Sequence, residues 1–279
     1  MTVTIGYLLK QSRPRFWLYL AGPVLVGVTF GADRPTALVG VVPLVLFAYF
    51  LVPANVYLYG VNDVFDREVD RRNPKKERRE VRYRGQRATP LAVIASLVAG
   101  VALLPLVPRP AAPWIGGFLL LGAAYRVPPV RLKVRPPLDS LSNGLYVLPG
   151  GAAYAAVAGG QPPIAAIAGG WLWAMAMHTF SAVPDVGPDR KSGIRTTATV
   201  LGARGALVYC ATTWGLAALA FATLDWRGGV LLAVYPALAL WVLTGNVDVG
   251  RAYWYFPAIN TAVGAILTMA GLWGLTHGG

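Results

Sequence analysis

A chain of 279 residues with 56% hydrophobic and only 13% charged side chains, at a mean hydropathy of +0.52, carries more apolar surface than a soluble core of its length buries; soluble domains average about 25% charged. The bilayer is therefore the expected solvent. A net charge of +13 would suit nucleic acid, but the basic residues fall in short clusters between apolar runs, the pattern of membrane-protein loops, so no nucleic-acid partner is expected.

The chain begins Met1-Thr-Val-Thr-Ile, without the basic stretch and cleavage site of a signal peptide, so its first apolar run is expected to persist as a span. Nine apolar segments follow in order: 15–32, 37–61, 89–107, 112–126, 139–158, 163–183, 204–223, 228–245 and 254–275. Each is close to the roughly 20 residues that cross a hydrocarbon core. Gly and Pro recur inside them, which neighbouring helices tolerate in lipid. The expectation is an all-α polytopic membrane protein of nine transmembrane helices, forming one domain over residues 1–279. Cys210, the lone cysteine, lies in an apolar run and reads as a packing residue.

Nine spans put 22 of the 25 Lys and Arg residues on one face, leaving only Arg34, Arg109 and Arg227 on the other. The positive-inside rule makes the rich face cytoplasmic, with the N-terminus inside and the C-terminus outside. Ten of the twelve acids share that face. Acids gain little from topology, so their concentration there suggests chemistry.

The second segment runs into Asn62-Asp-Val-Phe-Asp66-Arg-Glu-Val-Asp70, and the sixth into Asp185-Val-Gly-Pro-Asp189. Spacings of four stack these side chains along one helix face. The motifs are offset by a constant 119 residues, and similar tails follow, Gly85-Gln-Arg87-Ala-Thr89 and Gly193-Ile-Arg195-Thr-Thr197. That predicts two four-helix halves plus one helix. Carboxylates gathered at a membrane face repel unless cations lie between them. Oxygen-only ligands suit Mg²⁺, which is commonly shared with substrate phosphates and neutralises a departing diphosphate. Asp63 points about 100° off the main face and is given at most a supporting part.

These motifs resemble the UbiA superfamily of intramembrane prenyltransferases over the full chain. The resemblance implies two Mg²⁺ ions bridging a prenyl diphosphate, with Asn62, Asp66, Asp70, Asp185 and Asp189 as the metal-binding and catalytic set. Tyr125-Arg-Val-Pro-Pro-Val-Arg131-Leu-Lys133 is similar to the family's tyrosine-to-lysine loop. Arg131 and Lys133, with Lys191 of the second motif loop, are the expected phosphate grips. Arg78, Arg79, Arg82, Arg84, Arg87 and Arg195 read mainly as topology-setting charge.

An allylic cation is stabilised by aromatic faces, for which Tyr57, Tyr59, Phe65, Tyr125, Tyr146 and Phe180 are candidates. Asn55 and His178 each lie seven residues before a motif, and an intramembrane polar residue is a functional hypothesis by default. Either would orient the acceptor or take a proton. His277 is assigned no role.

Ser12-Arg-Pro-Arg-Phe-Trp-Leu-Tyr-Leu-Ala-Gly-Pro23 and His178-Thr-Phe-Ser-Ala-Val-Pro-Asp185 resemble the lycopene elongase branch, as does Asn62 to Asp70 with Arg-Asn-Pro-Lys-Lys76 after it. That resemblance implies dimethylallyl transfer to the end of lycopene or a related carotenoid, an acceptor entering sideways from the membrane lipids. Two alternatives stay open: a prenyltransferase for a quinone precursor or archaeal ether lipid, and a non-enzymatic transporter or lipid-binding protein.

Overall fold

Long apolar runs leave backbone amides without water, and a helix satisfies them within its own segment. In the computed structural model, which describes residues 5–66, 83, 85–245 and 247–277, the secondary structure is helical throughout, with no strand among the described residues. The α-helices in chain order are α1 (Ile5–Gln11), α2 (Trp17–Gly31), α3 (Val41–Leu51), α4 (Pro53–Phe65), α5 (Ala88–Leu103), α6 (Ala112–Arg126), α7 (Leu138–Leu141), α8 (Leu148–Ala158), α9 (Ile164–Ala182), α10 (Val186–Lys191), α11 (Thr197–Ala222), α12 (Trp226–Leu232), α13 (Val234–Thr244) and α14 (Val249–His277). Short 3₁₀ turns precede α2, α3, α7, α8 and α10.

Each of the nine expected segments contains helix. Among the described residues, four stretches are long and apolar enough to cross a membrane: Val41–Phe65, Thr197–Ala222, Trp226–Thr244 and Val249–His277. The other five segments hold helices of 11 to 19 residues, so these elements alone do not establish nine crossings.

The chain divides into two compact units. One gathers the helices through Val130, with Leu148–Gln161 and the last turns from Ala270. Here α2 and α8 lie backbone to backbone. A Cβ on Gly150 would stand 2.9 Å from the Pro23 carbonyl oxygen, one on Gly31 2.9 Å from that of Tyr154, and one on Gly27 would overlap the Gly150 carbonyl. Small residues permit such approach in lipid, where close packing replaces the hydrophobic drive. The fifth segment is thus divided, its α8 packing with the first unit and residues 139–147 with the second, and the compact units do not coincide with the expected four-helix halves.

Between α3 and α4 the helix breaks at Val52 (φ −124°, ψ −60°), because Pro53 has no amide hydrogen to continue it. Asn55 Nδ2 donates 3.0 Å bonds to the carbonyls of Phe50 and Leu51, taking over the acceptors that the break frees. Tyr49 Oη donates to the Ser96 carbonyl at 3.2 Å, joining α3 to α5.

The second unit spans Arg131–Val147 and Pro162–Met269. Its core is a set of buried rings: Phe180, Trp214, Tyr235 and Phe256 pack at centroid distances of 4.7 to 6.3 Å. Cys210 is buried there, its thiol donating to the Ala176 carbonyl at 3.3 Å. Helix α11 opens on a capping box between Thr196 and Thr199 and kinks at Gly202 (φ +72°). Arg190 Nε donates to the Thr199 carbonyl at 2.9 Å, bracing that kink.

Candidate active site

In the first unit the motif lies at the end of α4. Asn62 and Asp66 stand one turn apart and are buried, 9% and 6% exposed. The Asp66 amide donates to the Asn62 carbonyl at 2.9 Å, and Asp66 is the C-cap of α4. A buried carboxylate here adds to the partial negative charge of the helix terminus and is favoured by a nearby cation. Asp70 lies outside the described residues, as do Arg78, Arg79, Arg82 and Arg84.

Asp63, 2% exposed, turns toward the N-terminal segment. It accepts from Gln11 Nε2 at 3.4 Å and pairs with Arg13 Nη2 at 3.5 Å. Thr89 Oγ1 in turn donates to Gln11 Oε1 at 3.4 Å. These bonds fasten α1 and the start of α5 to the motif helix. Arg13, held in a left-handed conformation (φ 53°), lays its guanidinium 4.5 Å from the centre of the Tyr59 ring. One face of Tyr59 is thus already given to a cation of the chain itself.

The remaining candidates of this unit divide by surroundings. Tyr57 is buried and donates to the Leu119 carbonyl of α6 at 2.6 Å, which gives it a packing task. Phe65 is exposed. Asn55, 1% exposed, has its amide committed to the α3–α4 break, and its Oδ1 has no hydrogen-bond partner among the described residues. Tyr125 is buried at the end of α6 with the Arg126 guanidinium 5.1 Å from its ring centre.

In the second unit α9 runs through a 3₁₀ turn, Val183–Asp185, into α10. Asp185 is the N-cap of α10 and Asp189 lies within it, both half-buried. Lys191 and Arg195 are exposed. Arg131 has a left-handed backbone (φ 40°), and Lys133 lies in the 3₁₀ turn Leu132–Val134 directly after it. His178 is half-buried on α9, and Tyr146 is half-buried in the turn before α8. Phe180 is wholly enclosed by the ring core, so it packs rather than lines a site. His277 stacks on Trp273 at 4.0 Å in the first unit.

Asp139, which the motif spacings gave no reason to single out, is 1% exposed and accepts from Thr197 twice, at 2.8 Å from the amide and 2.6 Å from Oγ1. It ties the basic segment after Arg131 to the start of α11. Its signal in sequence is a lone acid opening an otherwise apolar run. Among the described residues no three acidic, histidine or cysteine side chains gather as a metal cage.

A helical membrane protein with one acidic motif at the end of α4 and another at the start of α10 defines the class. Residues 20–254 match the family model described as the UbiA prenyltransferase family, and the chain belongs to that family. It is thus an enzyme, an integral-membrane prenyltransferase. It is 58% identical over 272 residues to the lycopene elongase/hydratase of Haloferax volcanii, covering 98% of this chain and 90% of that one. To the lycopene elongase/hydratase of Halobacterium salinarum it is 57% identical over 273 residues, covering 98% and 99%. Among solved structures, a UbiA homolog from Archaeoglobus fulgidus bound to DMAPP and Mg²⁺ shares the fold at a TM-score of 0.75 and 20% identity, covering 97% of this chain and 99% of that one.

Proposed function

We propose that this enzyme transfers a dimethylallyl group from its diphosphate to the end of lycopene or a related carotenoid within the membrane. The observation that carries the proposal is the near-full-length identity to two proteins named lycopene elongase/hydratase. In this reading nine helices cross the bilayer, and the acidic motifs lie on the cytoplasmic face of the cell membrane.

The donor set fits magnesium. Asn62, Asp66, Asp185 and Asp189 offer only oxygen ligands, the hard set this cation prefers, and Asp66 caps a helix end that favours positive charge. These four with Asp70 would hold two Mg²⁺ ions, which when bound neutralise the charge building on the diphosphate as it leaves. Arg131, Lys133 and Lys191 hold phosphate oxygens through charge-assisted bonds. The donor's C–O bond breaks with its electron pair going to the diphosphate. The terminal alkene of the acceptor then forms a bond to the allylic cation, leaving a tertiary cation on the acceptor. Loss of a proton or capture of water closes that cation. Tyr59 and Tyr125 present ring faces to positive charge. His178, half-buried six residues before Pro184, takes the proton; Asn55 steers the acceptor only through the backbone it holds.

Expression in a lycopene-producing bacterium, followed by mass spectrometry of the pigments, tests the proposal. C45 and C50 products are expected from the wild type, and none from Asp66→Ala or Asp185→Ala. Unchanged lycopene with the wild type would falsify the acceptor assignment. Products persisting in both variants would remove the motif assignment.

A further inference from the structure

The second acidic motif rides on a short strap between two long helices. The strap leaves α9 through the 3₁₀ turn Val183–Asp185, continues through α10 and the Gly193 turn (φ 70°), and enters α11 at Thr196. Both of its ends are fastened to the same two residues, Asp139 and Ser140, neighbours in α7. All of these belong to the second unit.

At the far end the Asp139 carboxylate accepts from the Thr197 amide at 2.8 Å and from the Thr197 hydroxyl at 2.6 Å. At the near end Ser140 Oγ donates to the Met175 carbonyl and accepts from Thr179 Oγ1, each at 3.0 Å, and both partners lie on α9. The Tyr209 hydroxyl of α11 then donates the third bond, at 2.9 Å, so the one donor and two acceptor sites of the serine are all used. Asp139, Ser140, Thr179 and Thr197 are each 5% exposed or less. Buried polar groups so completely partnered hold a single geometry. Helices α9 and α11 are also joined independently, by Trp214 Nε1 on the Trp173 carbonyl at 3.1 Å and by the Cys210 thiol on that of Ala176. The pair can therefore assemble without Asp139 and Ser140. What these two add is the position of the strap ends, six residues before Asp185 and eight after Asp189.

We propose that Asp139 and Ser140 are positioning residues for metal binding by Asp185 and Asp189, an inference that rests on the metal-holding part given to that motif above. Carboxylates four residues apart repel, and fixed ends resist their spreading. Mg²⁺ demands near-octahedral ligands at about 2.1 Å, so a strap that drifts loses the cation.

The test uses the full-length protein in detergent with inorganic pyrophosphate and Mn²⁺, the free Mn²⁺ being read by electron paramagnetic resonance and the fold by thermal melts. Asp139→Ala and Thr197→Val are expected to weaken Mn²⁺ binding by about ten-fold. Asp139→Asn, whose amide can accept from the Thr197 N–H and donate to its hydroxyl, is expected to bind nearly as the wild type does. Trp214→Phe, which removes the independent bond between the same helices, is expected to lower the melting temperature and leave Mn²⁺ binding unchanged. If Asp139→Ala misfolds, Thr197→Val carries the test. Wild-type Mn²⁺ binding in a folded Asp139→Ala or Thr197→Val variant overturns the inference and leaves the motif assignment standing. So does a Trp214→Phe variant that loses Mn²⁺ as they do, because the effect is then one of general stability. Loss in Asp139→Asn equal to that in Asp139→Ala overturns it as well, by making charge and not the bonds decisive. A wild type that does not bind Mn²⁺ with pyrophosphate overturns the metal assignment and the inference together.

Discussion

Asn55 is the residue at which side-chain chemistry and backbone need meet most directly. A lone amide seven residues before the motif reads from sequence as a group facing substrate. Its Nδ2 instead serves the Phe50 and Leu51 carbonyls, left without partners where Pro53 interrupts the helix. Asn55→Leu keeps the volume and strands two buried acceptors. A stability loss of about 1–2 kcal/mol is expected, reduced by removal of the unpartnered Oδ1. Thermal melts in detergent check it, and a fall in acceptor affinity without any loss of stability would reverse this account. The polar residues were legible as exceptional, since an amide or acid inside an apolar run needs a reason. Their partners were not. Asp63 was set apart by its angle on the helix, but nothing in its neighbours announced Gln11 and Arg13, about fifty positions away. Asp139 was hidden for a related reason: its partner Thr197 lies 58 positions on.

At the scale of helices, apolar runs located the elements well because in lipid any long apolar segment must be helical. They did not locate the breaks. Hydropathy continues unchanged through Val52, through the turn before α8 and through Ala233, so the second, fifth and eighth segments each read as one helix where the structure has two or more. The Gly202 kink is likewise invisible to composition, although a glycine five residues into a helix is its natural place. Close helix pairs were equally silent, since a glycine reads the same whether it faces a neighbouring backbone or lipid. The α2–α8 pair shows the difference. Gly116 has nothing within 4 Å of a built Cβ, whereas Gly150 meets the Pro23 backbone. Gly150→Val is expected to force these helices apart and cost about 1–3 kcal/mol, as overpacking does. Gly116→Val is expected to change the melting temperature little, and equal effects of the two substitutions would deny that α2–α8 contact its role.

Across the whole chain the same local devices occur twice. The two non-glycine residues with left-handed backbones among those described are Arg13 and Arg131, each followed at once by a 3₁₀ turn. Their separation nearly equals the constant offset between the acidic motifs. Gly85 (φ 89°) and Gly193 (φ 70°) each turn the chain toward a helix whose early threonine, Thr89 or Thr197, is buried. The matched tails that suggest a repeated half from sequence thus share a positive-φ glycine and a buried threonine, although α5 starts at Ala88 whereas the matching Thr196 is an extended N-cap, and α8 packs with the first unit. In the proposed nine-span reading a repeat of four crossings would return the chain to the side it left, as the assignment of 22 of 25 basic residues to one face expects. One consequence is open to direct measurement. Gly160 follows α8 and Ser192 follows α10, both are exposed, and α9 lies between them. The native Cys210 is buried and out of reach of reagent. In intact cells a membrane-impermeant maleimide is expected to label Gly160→Cys and to spare Ser192→Cys until the membrane is opened. The opposite pattern would invert the orientation. Labelling of both from outside would mean that α9 does not cross, and the odd count of spans that places the C-terminus outside would fall with it.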